Sequence, residues 1–154
     1  MQFLLFSLGN DRYGLDTRRV VRVLPQLDLK ELPQVPAWVA GLMNYRGQSV
    51  PVIDLAMLAC GTASQLNLDT RVVLVDYRDI TGKMHALGLL AEQASDIRHF
   101  SPEDFQPPGV DNPGAPYLGQ VAASDGSMVQ LVNVDALLPA EVQALLFPAE
   151  TETS

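Results

Sequence analysis

Apolar residues in this chain come in short β-branched runs separated by polar turns, and helical spacing is rare. Residues 3–8 predict a strand, Gly9-Asn10-Asp11 a turn and residues 12–16 its hairpin partner. Asp16 or Thr17 caps one helical turn through Arg18 and Arg19, after which residues 20–24 are apolar again. Pro25, Pro33 and Pro36 leave residues 27–32 a short edge strand at best. Two apolar strands, 42–45 and 50–53, then flank Arg46-Gly47-Gln48-Ser49, where Gly47 supplies the positive φ of a tight hairpin and Arg46 stands beside the turn. Pro51 has no N–H for a ladder, which places it at an edge or bulge, and Asp54 caps the short helical turn 55–58.

Residues 61–69 lack periodicity and suit a linker. Residues 70–77 are the strongest strand, turned back by 78–83 into 84–90, with a further strand at 95–100. Ser101-Pro102-Glu103-Asp104 has the cap, proline and early acids of a helical turn. After the Pro/Gly-rich loop 106–116, strands 117–123 and 128–134 form a hairpin around Ser124-Asp125-Gly126-Ser127. Pro139 opens a final helix, 139–147, whose Val142, Leu145 and Leu146 share the face that covers the barrel, and residues 148–154 form a disordered tail.

A weak internal repeat runs through this pattern. Gly14-Leu15 precedes Val21-Arg22-Val23 as Gly88-Leu89 precedes Ser95-Asp96-Ile97, and Gly47 precedes Asp54 as Gly126 precedes Asn133. Two strand-rich halves of about seventy residues, each too small to bury much alone, predict two small barrels packed together, the first over about 3–60 and the second over about 70–138. The groove between them is the expected place for a partner. Eleven glycines, eleven prolines and only 6% aromatic residues fit an all-β chain with many turns.

The apolar runs fall far below the roughly 18 residues that span a bilayer, and residues 1–6 lack a basic leader, so no membrane insertion or signal peptide is expected. One cysteine, Cys60, allows no internal disulfide and suits a reduced, cytoplasmic setting. The net charge of −8 is uneven: all ten basic residues lie at or before Arg98, and the chain beyond it is purely acidic. That field disfavours nucleic acid and suits a protein with two different faces. Cys60, His85 and His99 fall into no ligand or nucleophile motif, and no glycine-rich loop precedes a helix, so neither metal nor nucleotide is expected. A hydrolytic enzyme using Cys60 with His85 or His99, and a small-ligand-binding β-barrel, are the alternatives to an interaction module.

Taken in order, Phe6-Ser7-Leu8-Gly9, Tyr13-Gly14-Leu15-Asp16, Val20-Val21-Arg22-Val23, Gly41-Leu42-Met43-Asn44-Tyr45-Arg46-Gly47 and Val50-Pro51-Val52-Ile53-Asp54-Leu55 resemble the CheW family of chemotaxis coupling proteins. Ser101-Pro102-Glu103-Asp104 and residues 131–138 extend the likeness to nearly the whole chain, 3–147. The resemblance implies one domain of two five-stranded SH3-like barrels with short helices, no catalysis and no cofactor. It implies a cytoplasmic scaffold that holds a chemoreceptor's cytoplasmic tip and the regulatory domain of a CheA-like histidine kinase, with ring-like self or mixed assemblies. Val20, Gly41 and the Arg46 turn are then expected to border the receptor groove, and Val20, Arg22, Gly41, Asn44, Tyr45, Arg46, Gly47 and Arg71 to bind partners. Two departures stand out. Many relatives carry an acid where this chain has Arg22, so two guanidiniums face each other and Arg46 must find another carboxylate; Arg71 stands where relatives are apolar. Both point to a divergent pathway of the surface-sensing (Wsp-type) kind, with cyclic-di-GMP output.

Overall fold

The alternating pattern folds, among the described residues, into ten strands and two short α-helices: β1 (Gln2–Leu8), β2 (Asp11–Asp16), β3 (Val20–Leu24), β4 (Val39–Tyr45), β5 (Gln48–Asp54), α1 (Leu55–Cys60), β6 (Arg71–Arg78), β7 (Met84–His99), β8 (Phe105–Gln106), β9 (Leu118–Ser124), β10 (Ser127–Val132) and α2 (Ala140–Leu146). The computed structural model describes residues 1–154 apart from 26–27, 111–112, 125–126 and 149–154. The tip of the last hairpin, the start of the expected 27–32 strand and most of the expected tail lie outside the described residues.

β7 organises the whole. The two strands expected at 84–90 and 95–100 are one strand of sixteen residues, about 50 Å long at roughly 3.3 Å per residue. Its first half lies between β6 and β5, its second half along β1, and the register slips between Leu5 and Ser7 where β7 passes from one sheet to the other. One barrel therefore consists of β3, β6, the first half of β7, β5 and β4, and the other of the second half of β7, β1, β2, β10 and β9, with the short β8 beside β9.

This partition corrects the division at 3–60 and 70–138. A 3-10 turn, Thr17–Arg19, carries the chain out of the first hairpin's barrel so that β3 pairs with β6. The first half of the chain therefore gives β1 and β2 to one barrel and β3, β4 and β5 to the other, and β7 joins both. The repeat itself has a structural counterpart. Gly14 sits opposite Leu131 and Gly88 opposite Val52, in the two parallel pairings among the described residues. A Cβ on Gly88 would stand 3.0 Å from Val52 and 3.1 Å from Val72, so side-chain absence lets the parallel neighbours close in. Asp54 and Asn133, the matching ends of the two repeats, both cap short helical turns.

Three apolar clusters follow. Met43, Val50, Val52, Val72, Leu74 and Leu90 fill one barrel; Phe3, Leu5, Phe100, Ala122 and Val129 fill the other. The largest, including Phe6, Leu15, Ile53, Tyr77, Leu89, Leu137 and Val142, lies between the barrels and under α2. On α2 the expected stripe is only partly inward: Val142 is buried, but Leu145 is exposed and Gln143 is buried in its place. Gln143 accepts from the Ile80 N–H at 3.1 Å and donates to the Leu138 carbonyl at 3.0 Å, which satisfies the amide and lets it occupy an interior position. Residues 61–69 are no loose linker, since the buried Asp54 carboxylate accepts from the Ser64 N–H at 3.0 Å and its hydroxyl at 2.6 Å. Pro51 stands one residue before β5 gains β7 as its second neighbour, where a ladder donor is not needed.

Candidate partner-binding surface

The β4–β5 hairpin turns in two residues, with Tyr45 opposite Gln48. Arg46 itself has φ of 52° and Gly47 of 83°, the pair of positive values that matches hairpin twist. Arg46 is therefore in the turn, not beside it. Asn44 Oδ1 accepts the Gly47 N–H at 2.9 Å and holds the turn closed. The Arg46 guanidinium lies 5.2 Å from the Tyr45 ring centroid, exposed, with no ion pair among the described residues. An arginine in this conformation costs roughly 1–2 kcal/mol against glycine, so the turn keeps it at a cost to stability.

The other sequence-selected residues fall on the same barrel. Val20, half-buried at the start of β3, packs against the core between the barrels. Arg22 is exposed opposite Leu74, and its side chain makes no hydrogen bond or ion pair among the described residues. Arg71 is not presented outward: it donates to the carbonyls of Leu68 and Thr70 and ties the preceding loop to β6. Gly41 is buried, and a Cβ there would stand 2.5 Å from the Lys30 carbonyl oxygen. Its role is to let Lys30 and Leu42 exchange two backbone bonds of 2.8 Å, which bridge the mouth of the barrel between β3 and β4. The close approach gives Gly41 a packing role of its own. Arg22 lies on β3 and Arg46 in the β4–β5 turn, and both are exposed.

The crossover carries a junction that sequence reasoning missed. Arg19 donates to both oxygens of Asp135, at 2.5 and 3.1 Å, and to the Asp76 carbonyl at 2.5 Å, while Asp135 also accepts the Arg78 N–H at 3.0 Å. The Arg19 guanidinium holds the Asp135 carboxyl below its ordinary value, and Arg18 does the same for Asp16. A depression of about 540 Å³ beside this junction is lined by Asp16, Arg18, Arg19, Leu131 and Asn133, but not by Val20, Gly41 or Arg46. Only the separation of 116 residues hid the pair; the run of arginines after an acid was the available signal.

The residues of the enzymatic alternative are not gathered. Cys60 is exposed at the end of α1. His85 bonds Asp79 at 2.7 Å and stacks on Phe147 at 4.1 Å, so it anchors the end of α2, while His99 lies against the chain's first residue. The Thr81 hydroxyl, then His85, hold the Asp79 carboxyl well below its usual range. The barrel interiors are filled with apolar side chains. No helix is long and apolar enough to cross a membrane, among the described residues.

Two intertwined, side-chain-filled barrels with cations displayed on exposed strands and turns define a binding scaffold of the double SH3-like class. The CheW-like domain model matches residues 2–142. The chain is 26% identical to the Chemotaxis protein CheW of Klebsiella aerogenes, over 94% of this chain and 86% of that protein, and 29% identical to Protein FrzA of Myxococcus xanthus, over 89% and 84%. Its fold is similar to the crystal structure of scaffolding protein TtCheW from Thermoanaerobacter tengcongensis, with a TM-score of 0.78, 24% identity and coverage of 90% of this chain and 87% of that one. The chain belongs to the CheW-like family. It is a coupling adaptor of the chemotaxis type and not an enzyme.

Proposed function

We propose that this adaptor holds the cytoplasmic tip of a chemoreceptor and the regulatory domain of a CheA-like histidine kinase together in the cytoplasm, in ring-like assemblies, within a surface-sensing (Wsp-type) pathway. Val20, Arg22, Asn44, Tyr45, Arg46 and Gly47 form the partner-binding surface, with the receptor against β3 and the kinase domain against the β4–β5 turn. Arg71 supports the barrel end, and Gly41 acts through packing alone. The carrying observation is Arg46, kept at φ of 52° with an exposed guanidinium that no carboxylate among the described residues neutralises. Binding both partners on one rigid body raises the effective concentration of each for the other. Arg46→Glu is expected to leave the thermal transition in place and weaken co-sedimentation with receptor tips and kinase about tenfold. Unchanged co-sedimentation would refute this reading.

A further inference from the structure

The chain after β10 divides at Pro139 into two parts that are held in different ways. Residues 133–138 are fixed at several points: the Asn133 N–H donates to the Tyr117 carbonyl at 2.7 Å, Asp135 binds Arg19 and the Arg78 N–H, and Leu137 and Leu138 are buried. α2 is held less firmly. It has seven residues, far fewer than the roughly 12–15 that a helix needs to persist alone in water, and Pro139 at its start offers no side-chain cap. Only Val142 and Gln143 in it are buried, while Ala140, Glu141, Ala144 and Leu145 face solvent. No main-chain hydrogen bond among the described residues joins 140–147 to a strand.

The contacts that keep α2 down come from one hairpin, β6–β7. The Ile80 N–H donates to Gln143, and the Phe147 ring, just past the helix, stacks on Tyr77 at 5.7 Å and on His85 at 4.1 Å. Asp79, 2.7 Å from His85 Nε2, holds the second of those rings in place. The closed arrangement also carries a cost. The Tyr77 hydroxyl is buried, and the Leu138 carbonyl approaches it without completing a hydrogen bond. Lifting Phe147 off Tyr77 admits water to that group, which offsets part of the apolar burial lost at Val142.

From these observations we infer that α2 is a lid on the apolar cluster between the barrels, hinged at Leu138–Pro139 and caught by Phe147, which opens as a unit while both barrels and residues 133–138 stay folded. Pro139, at φ of −60° and ψ of 156°, is extended between the fixed and the releasable part, so the lid can swing without disturbing a strand. Closed, it covers the cluster with Val142, Leu146 and Phe147; open, it uncovers Tyr77 and the buried Leu137 and Leu138. The lid involves neither β3 nor the β4–β5 turn, so it stands apart from the partner-binding reading above.

The test is amide hydrogen exchange of the full chain, read by mass spectrometry over residues 71–78, 84–91, 133–138 and 139–147. After correction for intrinsic rates, α2 is expected to exchange roughly a hundredfold faster than β6 and the first half of β7, and faster than 133–138. Phe147→Ala is expected to speed 139–147 by roughly tenfold more, the worth of a lost ring contact, and to leave the strands unchanged. Phe147→Tyr, which keeps a ring, should exchange as the native chain does. A second reading needs no change at Phe147: with Cys60→Ser in place, Val142→Cys is expected to react with a thiol reagent at native conditions, long before the chain unfolds. Exchange of 139–147 at the rate of β6 would overturn the inference. So would a Phe147→Ala variant that speeds every segment alike, or a Val142→Cys thiol that reacts only on global unfolding.

Discussion

Arg19 and Arg22 stand three positions apart on one crossover, and they have opposite surroundings. Arg19 reaches both oxygens of Asp135 and a carbonyl of β6, so its charge is enclosed in the joint between the barrels. Arg22 points from an open edge with no counter-charge among the described residues. The first holds the barrels together; the second is available to something else. Identical side chains on neighbouring positions thus divide into structure and recognition by one criterion, whether the fold itself supplies the carboxylate.

The largest test of that division concerns Gly41, which sequence reasoning placed with the recognition residues and the fold places with the structural ones. Gly41→Ala is expected to lower unfolding free energy by about 2–3 kcal/mol, because the new Cβ meets the Lys30 carbonyl and the backbone has φ of 147°. Urea titration measures it, and a stable variant that had lost only partner binding would move Gly41 back to the docking surface.

Asp135→Ala comes next, at about 1–2 kcal/mol after allowance for a carboxylate that is one-third exposed, since it leaves the Arg19 guanidinium and the Arg78 N–H without their acceptor. The effect depends on pH in a defined direction. The folded-state value of Asp135 lies below its unfolded value of about 3.9, so its contribution is full above that pH and disappears as pH falls through the lower folded value. Stability of the native chain and the variant should therefore converge in acid and separate at neutral pH. Parallel curves would show that the junction is not electrostatic.

Arg46→Asn is expected to have the smallest effect on the fold and the opposite sign. Asparagine tolerates positive φ and suits the position before Gly47, so the variant should gain about 0.5–1 kcal/mol while binding partners less well. A gain in stability with undiminished binding would mean the turn keeps its arginine for no purpose in recognition.

Much of the local structure was legible in the chain. The first hairpin, the Asp54 cap and the capped turn Pro102–Asp104 follow from side chains acting on backbone within a few positions, and these stand where their residues place them. Leu145 and Gln143 show where that reasoning stops, because helical spacing ranks both by polarity while the Ile80 and Leu138 backbone decides which is satisfied inside. The partition of strands between barrels was likewise hidden: the repeat is visible in residue spacing, yet whether a third strand folds back or crosses over depends on partners about fifty residues away.

What the amino-acid order determined by itself was the set of elements, their repeat and the family they belong to, because those depend on short-range periodicity and on motifs kept in order. Tertiary structure alone decided which arginines are enclosed, that Gly41 serves a close backbone approach, and which half of β7 belongs to which barrel. The reason is that burial and charge pairing are properties of surfaces brought together from distant positions, and linear spacing carries no measure of that distance.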